Sequence, residues 1–271
     1  MTMQNKLNLG KALITGASTG IGAVYADRLA KRGYDLILVA RDVARLNALA
    51  ARLTSETGRK MEVVGADLTK RTDLSRVEEI LKTDSKIQLL VNNAGIAMEK
   101  AFAESNGDEL ERLIALNITA LVRLSNAVVP GFVQRKAGCL VNLSSVVALM
   151  PGQFNANYGA SKAFVLNFSR TMAEELKAHG VHVQAVLPGA TKTEIWERSG
   201  MDLDALPKAL VMSAEDMVDA SLVGLDRREI VTIPALPDAA AWEAMESARV
   251  EMLPGLSRAK PGARYLKTDS L

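Results

Sequence analysis

The stretch Lys11-Ala-Leu-Ile-Thr-Gly16-Ala-Ser-Thr-Gly20-Ile-Gly22 determines how this 271-residue chain begins to fold. Its first five residues form a short, mainly apolar run, which predicts a strand over residues 11–15. A glycine-rich turn follows over residues 16–22, and residues 23–31 have helical spacing that stops at Gly33. A strand, a glycine turn and a helix in this order predict the first unit of an α/β fold.

The same alternation repeats along the chain. Its continuous apolar runs are typical of parallel strands that are covered on both faces. Further strands are predicted over residues 36–40, 61–65, 87–91, 139–143, 181–187 and 229–233. Further helices are predicted over residues 42–56, 70–81, 108–129, 155–178 and 214–225, and the third of them should kink or end at Pro130. With right-handed crossovers, this order gives a doubly wound, Rossmann-like parallel sheet with ligands at the carboxyl ends of its strands.

Two segments do not follow the alternation. Residues 191–212 separate a strand from a helix and are too long for a simple connection, so we expect a lid over a substrate. Residues 234–271 contain four prolines and predict a C-terminal arm that wraps the body or a neighbouring subunit. The rest of the chain, residues 1–233, is predicted to be a single domain.

Composition restricts the classes of function. The formal net charge is +2 with acidic and basic residues interspersed, so there is no clustered basic face for a nucleic acid. The single cysteine, Cys139, excludes an intramolecular disulfide and lies in an apolar run typical of a core thiol. The start of the chain lacks a signal-peptide core, and no apolar run approaches the roughly 20 residues of a membrane span. We therefore expect a cytoplasmic protein without membrane or nucleic-acid partners, and we assign no metal site.

The glycine turn is a candidate phosphate site. Glycines let the backbone approach a pyrophosphate, and the following helix N-terminus supplies unpaired N–H groups and the positive end of a dipole. The spacing is GxxxGxG rather than GxGxxG, so a tight turn without a ligand is the alternative. The second strand ends in Ala40-Arg41-Asp42, where Arg41 favours the 2′-phosphate of NADP. Asp42 leaves NAD possible, and Arg41 would be merely solvated if Asp42 only caps the helix.

A tyrosine and a lysine near the start of a predicted helix carry the candidate chemistry. Tyr158 and Lys162 are spaced i, i+4 and share one helix face. A nearby ammonium lowers the pKa of a phenol from about 10 towards the working pH, so that the phenol can give or take a proton. Ser144 and Ser145 end the preceding strand and can bind a reacting oxygen, and Asn117 is a polar residue in an apolar helix. An exposed, inert pair is the alternative.

Taken together, these motifs resemble the short-chain dehydrogenase/reductase family over residues 9–233. The matching motifs are Thr15-Gly16-xxx-Gly20-Ile21-Gly22, Asp67, Asn92-Asn93-Ala94-Gly95, Asn117, Ser145, Tyr158-xxx-Lys162 and Pro188-Gly189-xxx-Thr193. The resemblance implies that residues 1–233 form a dinucleotide-binding catalytic domain. It implies Tyr158 as acid/base and Lys162 as ribose anchor and pKa-lowering charge. It also implies that Ser145 polarises the substrate oxygen and that Asn117 holds a water for proton relay to Lys162. The implied cofactor-binding residues are Gly16, Ser18, Thr19, Gly20, Ile21, Gly22, Arg41, Asp67, Leu68, Asn93, Ala94, Gly95, Tyr158, Lys162, Pro188, Gly189, Thr191 and Thr193.

The family also implies a reaction and an assembly. The reaction is hydride transfer between NADP(H), or NAD(H), and a small-molecule carbonyl or alcohol substrate. The assembly is a homodimer or homotetramer through the helices that start near Asp108 and Asn155. Thr19 departs from the Arg or Lys that NADP-preferring members often carry there. The apolar residues of the lid suit a hydrophobic carbonyl compound, although they would equally pack the lid onto the body. A catalytically silent nucleotide-binding or scaffold protein is the alternative, and an epimerase or dehydratase is a third possibility.

Overall fold

A computed structural model describes residues 9–98, 100–152, 154–200 and 202–266. Within these residues seven parallel strands form one sheet in the order β3-β2-β1-β4-β5-β6-β7. The strands are β1 (Lys11–Thr15), β2 (Asp35–Ala40), β3 (Met61–Gly65), β4 (Ile87–Asn92), β5 (Gly138–Leu143), β6 (Val181–Val186) and β7 (Val231–Thr232). The helices are α1 (Gly20–Arg32), α2 (Val43–Thr57), α3 (Arg71–Thr83), α4 (Gly107–Ile114), α5 (Leu121–Arg135), α6 (Ala156–Lys177), α7 (Ile195–Ser199), α8 (Ala214–Asp226) and α9 (Ala240–Met252).

Two apolar layers cover the sheet, one on each face. Successive side chains of a strand point to opposite faces, so Ala12 and Ile14 of β1 pack towards α1, α2 and α8. Leu13, between them, packs on the other face with residues of α3, α5 and α6. The strand order reverses between β1 and β4, which places the ligand crevice at the carboxyl ends of these two strands. The predicted doubly wound α/β fold is therefore confirmed.

Several predicted boundaries were wrong, each for a local reason. Helix α1 begins at Gly20 rather than at residue 23, so the end of the predicted glycine turn forms the first turn of the helix. The helix predicted over residues 108–129, with a kink or an end at Pro130, continues to Arg135, since the completely buried ring of Phe132 anchors its last turn in the core. Strand β7 has only two residues, and the N–H-lacking Pro234 follows soon after it.

The long helical run Gly107–Arg135 comprises α4, a π-helical segment (Ala115–Ala120) and α5. By length and composition it is the one helix in the described residues that is apolar enough to cross a membrane, with a mean hydropathy of 1.5. The expectation that no run reaches this size was therefore wrong. Leu113, Leu124 and Phe132 of this run are buried in the fold.

The segment predicted as a lid is closed at its base. Thr191 and Met212 form a parallel bridge, and the Lys192 N–H donates to the Met212 carbonyl at 2.9 Å. Helix α7 lies inside this segment. The chain divides into two compact units, one reaching to Ala235 and one starting at Leu236. The second unit contains α9, none of whose residues is buried.

Candidate active site

The glycine turn lies between the carboxyl end of β1 and the segment that follows β4. A Cβ atom on Gly22 would lie 2.2 Å from the carbonyl oxygen of Gly16, and Gly16 has a φ of +66°. Both positions therefore require glycine. Asn93 Nδ2 donates to the carbonyl oxygens of Thr15 (2.9 Å) and Gly16 (3.2 Å). Asn93 thus braces the turn from the neighbouring strand.

The geometry of this turn fits the pyrophosphate of a dinucleotide. Thr19 is the N-cap of α1, but its side chain makes no capping hydrogen bond, so the first N–H groups of the helix are left for an anion. Glycine backbone meets the helix N-terminus at this point, and Gly16 has no room for a side chain because its Cβ atom would lie 2.8 Å from Asn93 Nδ2. Ser18, Thr19 and Ile21 lie half-buried along the same stretch, and Ala94 donates its N–H to Thr15 Oγ1 at 3.0 Å.

At the end of β2, the two candidate residues for cofactor choice have different roles. Asp42 is the N-cap of α2 and accepts from the Arg45 N–H at 3.0 Å. Arg41 is exposed, and its charge helps to lower the pKa of Asp67. Burial alone would raise that pKa, but hydrogen bonds from the Thr69 hydroxyl and N–H, together with nearby arginines, outweigh it. Arg41 is therefore the residue left available for a 2′-phosphate.

Leu68 is placed differently from the other residues predicted at the adenine end. Its side chain is buried in the apolar layer with Leu13 and Val39. Only its backbone can therefore meet a nucleotide.

The side chain of Tyr158 is positioned by the first turn of α6. Asn155 caps this helix and accepts from the N–H groups of Asn157 (2.9 Å) and Tyr158 (3.3 Å). Burial raises the pKa of Tyr158 to about 12, against a smaller lowering by its hydrogen bond with Ser145. Ser144 is turned away and donates to the Lys162 carbonyl at 2.7 Å. Of the two serines, Ser145 is therefore the one whose hydroxyl reaches the phenol.

The Lys162 ammonium is buried and held by the backbone of β5. Its Nζ donates to the Leu143 carbonyl at 3.0 Å and lies 5.7 Å from the centroid of the Tyr158 ring. Burial lowers the pKa of Lys162 to about 8. The pKa of Tyr158 therefore lies above its usual value rather than near the working pH, because desolvation of the phenol dominates and the Lys162 ammonium donates to a carbonyl.

Asn117 lies in the π-helical segment and is buried. Its Oδ1 accepts from the Ile96 N–H at 2.9 Å, and its Nδ2 donates to the Ile96 carbonyl at 2.9 Å and to Ser161 Oγ at 3.2 Å. A Cβ atom on Gly95 would lie 3.2 Å from Asn117 Oδ1 and 3.6 Å from Lys162 Nζ. Asn117 therefore clamps the segment after β4 onto α6, close to Lys162. Sequence reasoning missed Ser161, although its position three residues after Tyr158 puts it on an adjacent part of the helix surface.

The lid starts directly over the glycine turn. A Cβ atom on Gly20 would lie 3.1 Å from Thr193 Cγ2. Thr191 Oγ1 donates to the Gly189 carbonyl at 3.1 Å, and the Pro188 carbonyl accepts from Ser145 Oγ at 3.3 Å. The segment after β6 thus joins the glycine turn to the tyrosine site.

An ion pair that sequence reasoning missed also reaches the lid. Arg45 Nη1 of α2 lies 2.8 Å from both carboxylate oxygens of Glu194. Nothing local in the sequence signals a contact between residues so far apart. In the part of the chain that the structure describes, no group of three or more His, Cys, Asp or Glu side chains could hold a metal ion.

The chain belongs to the short-chain dehydrogenase family, and its match to this family extends over residues 10–204. Among known proteins, it is 37% identical over 185 residues to human 17-beta-hydroxysteroid dehydrogenase type 3. That alignment covers 67% of this chain and 59% of the human protein. The chain thus spans about three fifths of the length of this relative.

Two solved structures are similar over nearly the whole chain. One is a short-chain dehydrogenase from Sphingobium yanoikuyae in complex with NADPH, with 51% identity and a TM-score of 0.92. The match covers 95% of this chain and all of that one. The other is the bulky-bulky ketone specific alcohol dehydrogenase from Comamonas testosteroni, with 44% identity and a TM-score of 0.89. This second match covers 96% of this chain and all of the Comamonas testosteroni protein.

Proposed function

We propose that this protein is an NADP(H)-dependent oxidoreductase that interconverts a ketone and a secondary alcohol. The observation that carries the proposal is the convergence of Tyr158, Ser145, Lys162 and Asn117 beside a glycine turn that fits a dinucleotide. All of them lie at the carboxyl edge of one parallel sheet, where this architecture binds ligands.

In the proposed mechanism, the protein orients the substrate and handles one proton. Bound NADPH supplies the hydride for the carbonyl carbon. Ser145 donates a hydrogen bond to the carbonyl oxygen, and Tyr158 gives its phenolic proton to that oxygen as negative charge develops there. The step yields a secondary alcohol, the oxidised nicotinamide and the phenolate of Tyr158, which regains its proton from solvent. Lys162 stabilises the phenolate by its charge, and Asn117 fixes the backbone of Ile96 beside the reacting groups. Oxidation of the alcohol runs through the same steps in reverse.

NADP(H) is favoured over NAD(H) by the end of β2. Arg41 is exposed there, whereas Asp42 is engaged in capping α2. An arginine at this position pairs with a 2′-phosphate, while an available carboxylate would have favoured a 2′-hydroxyl. The similarity to the NADPH complex from Sphingobium yanoikuyae supports the same choice.

The proposed substrate is a ketone with bulky apolar groups. Large apolar side chains are exposed on the loops that follow β4, β5 and β6, namely Phe102, Met150, Phe154 and Leu210. Exposed apolar side chains around a polar centre are typical of a site for an apolar ligand. The similarity to an alcohol dehydrogenase for bulky ketones and to a hydroxysteroid dehydrogenase supports this class.

The decisive experiment is a panel of bulky and small ketones, followed by the loss of reduced-nicotinamide absorbance with NADPH and NADH in parallel. Tyr158→Phe should abolish turnover and leave NADPH affinity nearly unchanged. Tyr34→Phe, which alters a half-buried tyrosine elsewhere, is the matched control and should retain turnover. Turnover by Tyr158→Phe would reject the mechanism. NADPH binding by the wild-type chain without any turnover would instead favour a silent nucleotide-binding protein.

We further propose a cytoplasmic homodimer or homotetramer without a membrane partner. Phe164 and Phe168 stack on α6 with ring centroids 5.6 Å apart, and Phe164 is exposed, which gives this helix an apolar outer face. Analytical ultracentrifugation that detects only monomer would contradict the assembly. Recovery of the protein in the membrane fraction of cells would contradict the location.

A further inference from the structure

A buried polar network lies one level below the proposed site. Asn92 of β4 and Asn142 of β5 are register partners in the sheet, and Asn92 Nδ2 donates to Asn142 Oδ1 at 2.9 Å. Asn92 Nδ2 also donates to Ser125 Oγ of α5 at 3.1 Å, and Asn142 Nδ2 donates to Ser169 Oγ of α6 at 2.9 Å. Ser169 Oγ in turn donates to the Val165 carbonyl at 2.7 Å. The four side chains are at most 4% exposed.

The network lies in the core at a position that apolar side chains could also fill. Leu90 and Leu140 precede the two asparagines on the same sheet face, and both belong to the apolar layer formed with α5 and α6. A fully apolar core of this shape would be at least as stable, because buried polar groups gain little beyond their desolvation cost. Asn92 Oδ1 has no protein partner in the described residues, so the network is not optimised for stability alone.

Each member of the network lies on a strand or helical run that carries, or leads directly into, a residue of the site. Asn92 directly precedes Asn93, and Asn142 lies two residues before Ser144. Ser125 lies eight residues after Asn117 on one continuous helical run, which is about two turns. In the same way, Ser169 lies seven residues after Lys162 on α6.

Helix α6 is therefore hydrogen-bonded at two levels to β5 and the residue that follows it, and the bond from Lys162 Nζ to the Leu143 carbonyl belongs to the upper level. The upper bond joins Ser144 Oγ to the Lys162 carbonyl at 2.7 Å, and the lower bond joins Asn142 to Ser169. The two points are about 10 Å apart along the helix, since each residue adds about 1.5 Å. Hydrogen bonds at one level alone would let the helix pivot, whereas hydrogen bonds at two levels restrain its tilt on the sheet.

Because α6 is long, a small change in its tilt moves Tyr158 by a large distance. Tyr158 lies eleven residues from Ser169, so a rotation of about 4° about the lower end displaces it by about 1 Å. A displacement of this size costs about a hundredfold in rate where a reacting group must be aligned.

We propose that Asn92, Ser125, Asn142 and Ser169 are positioning residues for the oxidoreductase reaction. They set the tilt of α5 and α6 on strands β4 and β5, and thereby the placement of Asn117, Tyr158 and Lys162. The inference rests on the proposed function, and it assigns these residues no contact with substrate or cofactor.

The test replaces the whole network by apolar residues of similar size. The variant Asn92→Leu/Ser125→Ala/Asn142→Leu/Ser169→Ala leaves none of the four side chains in need of a partner. We expect a melting temperature at or above that of the wild type, NADPH affinity within about threefold, KM within about threefold, and kcat lowered by tenfold or more. The control Tyr25→Phe/Ser221→Ala removes a buried hydrogen-bonded pair from the opposite face of the sheet and should keep kcat.

A second comparison isolates a single hydroxyl. Ser169→Thr and Ser169→Val add the same bulk, but only the threonine keeps an acceptor for Asn142 and a donor for the Val165 carbonyl. We expect the threonine variant to exceed the valine variant in kcat by tenfold or more, with equal NADPH affinity. Equal kcat values in this pair, or a folded network variant with wild-type kcat, would overturn the positioning role while the proposed function stands. A wild-type chain that binds NADPH but reduces no ketone would overturn both.

Discussion

Replacing Lys162 with methionine should stabilise the fold while abolishing turnover. The Lys162 ammonium is buried, and its pKa falls from 10.5 to about 8 because burial penalises the charged form. This difference corresponds to a cost of about 3 kcal/mol at pH 7. Methionine removes that cost but leaves the Leu143 carbonyl without the donor it has at 3.0 Å, which costs about 1 kcal/mol. The net gain of about 2 kcal/mol should raise the melting temperature by about 4–8 °C.

The stabilisation by Lys162→Met should depend on pH. The folded state binds the Lys162 proton less tightly than the unfolded chain does, so wild-type stability rises between about pH 8 and pH 10.5. The advantage of Lys162→Met should therefore be complete below pH 8 and shrink above it. Calorimetry at pH 7 and pH 9.5 measures both, with Lys177→Met at an exposed position of the same helix as control. A Lys162→Met variant less stable than the wild type at pH 7 would refute the reasoning.

Three further results are expected. NADPH affinity, measured by titration calorimetry, should fall as pH rises through about 8, because Lys162 then loses the charge proposed to hold the ribose; constant affinity to pH 9 would contradict this. Gly22→Ala should lose NADPH binding and stability, since its Cβ would lie 2.2 Å from the Gly16 carbonyl oxygen, whereas Gly107→Ala, with open space around it, should lose neither. Arg41→Ala should weaken NADPH binding about tenfold or more and leave NADH unaffected, and an equal loss for both would exclude contact with the 2′-phosphate.

The strands and the glycine turn could be predicted because their signals are local. A continuous apolar run such as residues 36–40 has only one common use in this alternation, a parallel strand covered on both sides. The glycines of the turn are dictated by backbone contacts within a few residues, as for Gly22 and Gly16. Local patterns are less reliable at element ends, where tertiary packing decides. Phe132, buried beyond Pro130, illustrates this point.

The site could be predicted as a set of residues but not as a geometry. Asn117 stood out as a polar residue in an apolar helix, yet its clamp on Ile96 depends on a π-helical segment that periodicity does not reveal. The pair of Arg45 and Glu194 joins residues 149 positions apart, and the sequence contains no sign of it. Such contacts are set by the assembled sheet and loops, so only the structure can give them.

Burial shifts both the pKa of Tyr158 and the pKa of Lys162 away from their ordinary values. The i, i+4 spacing of Tyr158 and Lys162 suggested an ammonium beside a phenolate. Removal of water penalises both ions, which raises the pKa of Tyr158 to about 12 and lowers that of Lys162 to about 8. Ser145 and the Leu143 carbonyl hold the two groups through hydrogen bonds that do not require the ion pair. At neutral pH the phenol therefore keeps its proton, which is the state needed to donate to a ketone oxygen during reduction.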